Sequence, residues 1–194
     1  MESEKKYQIV YADPPWPERG GGKIKRGADR HYPLMSITEI MNLPVKKITT
    51  PNAHLYLWTT NTYLPQAFDV IKAWGFDYKT AITWFKDKIG LGQYFRGKTE
   101  HCLFAVRGMI PYKCENGKRC QGETAFYAQR FKHSKKPYQM RKMIELVSDR
   151  DGFNKIELFA REATPGWDIW GNEIESVSIA PLSRATGLVT TTEK

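Results

Sequence analysis

The chain has 194 residues, 41% hydrophobic, 13% aromatic and 26% charged, which is enough apolar material for the core of one domain and argues against wholesale disorder. It contains no run of 18 apolar residues, so no segment reads as a membrane span. Two Glu and two Lys stand ahead of the first, strand-length apolar run, unlike a secretory leader, and three cysteines (Cys102, Cys114, Cys120) are too few and odd in number for a secreted disulfide scaffold; an intracellular enzyme or binding domain is expected.

The formal net charge is +9, from 30 Lys/Arg and 21 Asp/Glu, and it is unevenly placed. Residues 107–142 hold ten basic and two acidic residues, whereas residues 143–194 hold five basic and nine acidic ones. A second basic stretch, RGGGKIKRGADR, carries Arg19, Lys23, Lys25, Arg26 and Arg30. Cationic residues gathered in glycine-containing, loop-like sequence point to a polyanion partner, nucleic acid first, rather than to a solvated face.

Residues 5–12 (KKYQIVYA) are predicted as a short buried strand that ends at Asp13-Pro14-Pro15, since proline cannot continue a central strand. Residues 18–30 read as a loop. Ser36, with Glu39 three residues on, opens a helix through a capping box. A second strand is expected at 51–58, a helix at 64–74 stopped by Gly75, a third strand at 76–85 and a fourth at 100–106. A helix at 137–147 has Pro137 in its first turn, a fifth strand spans 155–160, and residues 176–194 read as a loose tail after a domain of residues 1–175. Strands alternating with helices predict an α/β domain with a mainly parallel sheet, whose ligands sit beyond the carboxyl ends of the strands. That rule lines up Asp13-Pro14-Pro15-Trp16, Trp58-Thr59-Thr60 and Arg161 along one rim.

The strongest chemical signal is Asp13-Pro14-Pro15-Trp16 at the end of the first strand. The lone pair of a base's exocyclic amine is delocalised into the ring, and the nitrogen is a poor nucleophile. An acceptor for each N–H draws it toward a tetrahedral geometry and frees the lone pair. Asp13 supplies one acceptor and the Pro14 carbonyl the other. Proline fixes φ near −65° and carries no N–H, so Pro14-Pro15 is a rigid turn without competing donors. Trp16 offers a face for stacking, worth roughly 1–3 kcal/mol per base, against a base-extrusion cost of a few kcal/mol. Asp-Pro-Pro alone would read as a turn; the strand-terminal four-residue box is far more specific. Cys114 and Cys120 in CENGKRC, followed by His133, match no standard zinc spacing, and Asn116-Gly117 between them reads as a hairpin turn. Gly20-Gly21-Gly22 lacks the context of a phosphate loop.

These motifs resemble the MT-A70 family of S-adenosylmethionine-dependent N6-adenine methyltransferases. The resemblance covers about residues 7–175, with ADPPW at 12–16, HYPLMS at 31–36, LYLWTT at 55–60, GKTEHCLFAVRG at 97–108, SKKP at 134–137, KIELFAR at 155–161 and GWDIWGNE at 166–173, in the family's order. It implies a Rossmann-like methyltransferase fold with permuted motif order. It gives Asp13, Pro14, Pro15 and Trp16 the catalytic roles. S-adenosylmethionine would be held by Asp13, Lys136, Phe159, Arg161, Thr164, Asn172 and Glu173. Tyr32, Glu100 and Ser134 would approach the target adenine, and Arg26, Lys118, Arg119 and Arg130 would serve the nucleic acid. Trp58, Trp84 and Trp170 are expected to pack rather than to make contact.

The expectation is therefore a metal-free adenine N6-methyltransferase, monomer or homodimer, acting on DNA. It would be cytoplasmic in a bacterial or phage-infected cell and nuclear in a eukaryote, with no membrane partner. RNA methylation is the alternative. A catalytically silent nucleic-acid-binding subunit and an enzyme for cytosine or protein Gln are the rivals. Residues 20–30 and 107–133 are both expected to follow rim positions and to close on the nucleic acid.

Overall fold

The computed structural model describes residues 5–18, 34–90, 92, 94–130 and 135–171. Strand β1, Tyr7–Ala12, lies near the middle of a seven-stranded sheet. Its neighbours are β2 (Thr49–Thr59) and β8 (Lys155–Leu158), both parallel to it. Beyond β8 comes β9 (Asp168–Trp170), again parallel. On the other side β4 (Thr99–Arg107) pairs antiparallel with both β2 and β3 (Asp77–Lys86). Strand β7 (Ala125–Ala128) adds parallel to β3 at the edge. The order is β7-β3-β4-β2-β1-β8-β9, so the expected mainly parallel sheet forms, with β4 alone reversed.

Period-two alternation sends successive side chains to opposite faces. Val10, Ala12, Leu55, Leu57, Leu103 and Ala105 share a core with α1 (Ile37–Met41), α2 (Val45–Ile48) and α3 (Leu64–Ala73). Ile9, Tyr11, Tyr56, Trp58, Trp84 and Cys102 share the opposite core with Met140 and Ile144 of α4 (Tyr138–Ser148). Met140 and Ile144 are fully buried, each worth about 1.5–3 kcal/mol of transfer free energy, so apolar burial fixes α4 against this face.

The local signals act as read. Glu39 N–H donates to Ser36 Oγ at 3.2 Å, and Ser36 N–H donates to Glu39 Oε2 at 2.7 Å, closing the capping box. Gly75, at φ +80°, ends α3, a position that suits a residue without Cβ. Asn116 and Gly117, at φ 51° and 74°, turn a small hairpin between β5 (Cys114–Glu115) and β6 (Lys118–Arg119). Pro137 differs: its ψ of 136° leaves it outside the helix as the N-cap of α4, one position before the first turn. The sequence pattern did not disclose α2, β7 or β9, which have four, four and three residues and are too short to show a period.

Polar ties also join α4 to the sheet: Arg141 pairs with Glu157 of β8, and Ser148 is held by β2. His54 Nδ1 and Tyr56 Oη on β2 lie 2.7 and 2.6 Å from Ser148 Oγ. Burial, with Arg150 adding to it, lowers His54 from 6.5 to about 4. The folded state thus holds a neutral imidazole where the unfolded chain binds a proton below pH 6.5. Stability is complete above that value and is lost as pH falls through the window from 6.5 toward 4. The expected loss is roughly 2 kcal/mol by pH 5; thermal unfolding of His54→Gln between pH 7 and 5 should show a flatter pH dependence than the wild type.

Candidate active site

Asp13 follows β1 directly, on the parity of Ile9 and Tyr11, and therefore faces the layer of α4. The chain then folds back in tight steps. Trp16 N–H donates to Pro14 O at 2.8 Å, Glu18 N–H to Trp16 O at 2.6 Å, and Met35 N–H to Pro15 O at 3.0 Å. Pro14 O thus keeps one of its two lone pairs for a ligand. The even residue of the box goes the other way. Trp16 is 5% exposed, stacks on Tyr63 at 5.7 Å and donates its indole N–H to Trp58 O at 2.9 Å. The expected open stacking face is therefore covered, because alternation drives Trp16 into the α1–α3 core. Its role here is to clamp the turn that presents Asp13.

The reversal of β4 supplies the next group. A parallel strand would put its first residue at the far end of the sheet; antiparallel β4 starts at the rim and brings Glu100 there. Lys136, just ahead of α4, lies between the two acids: its Nζ is 2.9 Å from Asp13 Oδ2 and 3.3 Å from Glu100 Oε2, and it sits 5.3 Å from the Trp58 ring centre. Lys86, the last residue of β3, pairs with the other oxygen of Glu100. Reading the sequence did not single out Lys86. The only signal was its place two residues after Trp84, on the same face of β3.

Two carboxylates and two ammoniums form this cluster, with side-chain exposures between 13 and 22%. Burial raises the Asp13 carboxyl above its ordinary value even though Lys136 and Arg161 pull the other way. Burial also works against the charge of Glu100, but Lys136 and Lys86 outweigh it and leave that carboxyl low. Burial opposes the Lys136 ammonium as well; Asp13 and Glu100 overcome it and raise its pKa. The rim therefore holds one carboxylate firmly ionised, Glu100, and one more easily protonated, Asp13.

The neighbouring wall is built by β8 and β9. Phe159, directly after β8, takes φ +66°, unusual for a residue with a side chain, and packs edge-on against Trp170 at 5.6 Å. Ala160 N–H donates to Trp170 O at 3.1 Å. A Cβ on Gly171 would stand 2.2 Å from Ala160 O, so only glycine allows this close approach. Arg161 follows, near enough to act on Asp13. Thr164 lies in the turn that leads into β9, its carbonyl accepting from Trp167 N–H at 3.1 Å. Trp58, Trp84 and Trp170 pack, as expected, each 2% exposed or less.

The basic 107–142 segment is split. Because β4 runs away from the rim, residues after Arg107 leave at the opposite end of the sheet. There Lys113 Nζ donates to Glu145 O and the β5–β6 hairpin flanks the turn at 149–153. Lys118 and Arg119 are thus separated from Asp13 by the length of β4, about 30 Å, and the reading of 107–133 as a rim loop is corrected. The same end holds a cavity of about 670 Å³, whose Lys113 and Lys155 are matched by Glu115 and Asp149. Strand β7 then returns toward the rim, and Arg130 lies there, its N–H donating to Asp87 Oδ1 at 2.8 Å. Arg26, Tyr32, Ser134, Asn172, Glu173, the 19–30 loop and the 176–194 tail lie outside the described residues. Among the described residues no three His, Cys, Asp or Glu side chains gather as a metal site, and no helix is long and apolar enough to cross a membrane.

A mainly parallel α/β sheet whose first strand ends in an Asp-Pro-Pro-Trp turn is the Rossmann-like scaffold of a methyltransferase. The MT-A70 family model matches residues 7–173, and the chain belongs to that family of adenine N6-methyltransferases. It is 34% identical over 190 residues to the Type II methyltransferase M.MunI of a Mycoplasma species, covering 88% of this chain and 78% of that one. It is 28% identical over 190 residues to the human N(6)-adenosine-methyltransferase catalytic subunit METTL3, covering 90% of this chain but 29% of the relative. It is 29% identical over 182 residues to the N6-methyladenosine RNA methyltransferase MTA1 of Cryphonectria parasitica, 52% of which it spans.

Two predictions follow from the cluster and from the split of the basic segment. Lys136→Met removes the main group opposing the burial of Asp13, so the Asp13 carboxyl rises further and the acid limb of the pH–rate profile moves to higher pH; a limb at its wild-type position would break the coupling. Arg130→Ala should reduce the slope of log affinity against log salt for a random oligonucleotide by about one, while Lys118→Ala and Arg119→Ala leave it unchanged, as read by fluorescence anisotropy between 50 and 200 mM salt.

Proposed function

We propose that the chain transfers a methyl group from S-adenosylmethionine to the N6 amine of adenine in DNA. The observation that carries this reading is the Asp13 carboxylate at the end of β1, fixed by Lys136 beside a Pro14 carbonyl with a free lone pair. An amine with two N–H groups needs two such acceptors. Asp13 Oδ accepts one N–H and Pro14 O the other, which localises the nitrogen lone pair toward the methyl donor. Burial makes Asp13 a better proton holder than an exposed aspartate, which suits the moment when the nitrogen gains its methyl and sheds a proton.

The residues fit the cofactor. An aminoacyl cofactor needs a carboxylate for its ammonium and a cation for its carboxylate, and Asp13 and Lys136 offer both. The close Ala160–Gly171 contact beside Phe159 and Arg161 makes a narrow backbone wall of the kind that receives a nucleoside. When bound, S-adenosylmethionine supplies an electrophilic sulfonium methyl group. Lys136 would exchange one carboxylate partner for another as it binds, while Glu100 and Lys86 remain paired at the side where the adenine edge would enter.

DNA is favoured because a type II methyltransferase is a relative of which this chain spans 78%, whereas the relatives named here for adenosine methylation extend well beyond it. RNA is the second reading. The intact Asp13–Lys136 pair speaks against a silent subunit. The test is expression in a host lacking adenine methylation, followed by separate quantification of N6-methyladenine in its DNA and RNA. Modification in DNA is expected; modification confined to RNA selects the alternative. Asp13→Ala should lower kcat by about 100-fold or more with cooperative unfolding retained, because Glu100 still partners Lys136.

A further inference from the structure

The loop between β3 and β4, residues 87–98, rises from the rim itself. It starts after Lys86 and ends one residue before Glu100, both members of the charge cluster. It carries the two most exposed large hydrophobic side chains among the described residues, Tyr94 at 92% and Phe95 at 91%. A folded chain gains nothing by holding two adjacent aromatics in water, and such a pair marks a contact surface.

The loop is built to hold them there. Its base extends the β3–β4 ladder: Lys86 N–H donates to Lys98 O at 2.9 Å and Gly90 N–H to Gly97 O at 2.6 Å. Arg96 Nε–H closes the same rung by donating to Gly90 O at 2.9 Å. A Cβ on Gly92 would lie 1.9 Å from Phe95 O, so this close approach admits only glycine at that point. Lys88, Arg96 and Lys98 are exposed around the aromatics, against the single acid Asp87, which is engaged by the Arg130 N–H. Aromatic rings interleaved with cations are what a single strand of nucleic acid binds: rings stack on its bases and cations follow its phosphates.

We propose that this loop is the strand-holding element of the enzyme, with Tyr94 and Phe95 stacking on the bases beside the extruded adenine and Lys88, Arg96 and Lys98 on the flanking phosphates. The assignment deepens the nucleic-acid reading and rests on it. It also supplies the stacking surface that Trp16, buried in the α1–α3 core, does not offer. An adenine placed at Asp13 leaves a gap in its own stack. The loop stands on the side of the site where Glu100 and Lys86 lie, so rings at its tip are placed to fill that gap or to cap the neighbouring base.

The experiment uses the full chain and a fluorescein-labelled 14-nucleotide DNA with one adenine, single-stranded and as a duplex. Tyr94→Ala/Phe95→Ala should weaken binding by about 5- to 100-fold. Tyr94→Trp/Phe95→Trp should restore it. Tyr112→Ala, an exposed aromatic at the opposite end of the sheet, should match the wild type, and cofactor affinity by calorimetry should stay constant across all three. Independently of any variant, 5-iodouracil placed next to the target adenine should photocross-link the wild type at Tyr94 or Phe95, mapped by mass spectrometry. Wild-type affinity in the double alanine variant, or cross-links confined to other segments, overturns the proposal while leaving a methylating wild type intact. A wild type that dimerises in sedimentation and becomes monomeric on the double substitution also overturns it, since a second copy then covers the pair. A wild type that neither binds nor methylates the oligonucleotide overturns this assignment and the methyltransferase reading together.

Discussion

The ammonium of Lys136, shared between Asp13 and Glu100, is the interaction on which the arrangement of the rim depends. Three residues far apart in the chain meet at about 3 Å in a partly desolvated place. Removing Lys136 would take the ion-pair partner from the Asp13 carboxylate there, which is costlier than the complete set. With Lys86 the cluster is neutral before any ligand arrives. The cluster can therefore exist preformed in the free chain.

That cluster imposes demands on the fold. Asp13 must leave β1 on the face of α4, which the alternation Ile9, Tyr11, Asp13 secures. Glu100 must begin its strand at the same rim at which β1 ends, which is met only because β4 runs against its neighbours. Lys136 must sit at the start of α4, whose Met140 and Ile144 are held by burial and whose Ser148 is tied to His54 and Tyr56 on β2. Packing one layer away thus sets a distance at the chemistry.

The reversed strand also sorts the cationic surface. A chain leaving β4 exits at the end opposite Asp13, so the β5–β6 hairpin with Lys118 and Arg119 is sent away from the site. The β3–β4 loop, with Lys88, Arg96 and Lys98, stays at the rim, and β7 returns Arg130 to it. Net charge is the same in either arrangement; only the direction of one strand distinguishes a basic segment that can meet a substrate at Asp13 from one that cannot.

Much of this was legible before any coordinates. The Asp-Pro-Pro turn, the Ser36–Glu39 cap, the Gly75 stop and the Asn116-Gly117 hairpin rest on steric and hydrogen-bonding rules that act within a few residues, so the chain specifies them locally. The ordered motifs likewise marked Asp13, Glu100 and Lys136, though as separate positions. What they do to one another required the tertiary structure. Strand direction comes from loop closure and sheet pairing, which no local period encodes; hence the misplacement of 107–133. Trp16 reads as a stacking platform in the sequence, and only packing against Tyr63 and Trp58 shows it to be a core residue. The shared ammonium, finally, depends on distances between segments more than 30 residues apart, which the linear order of residues does not contain.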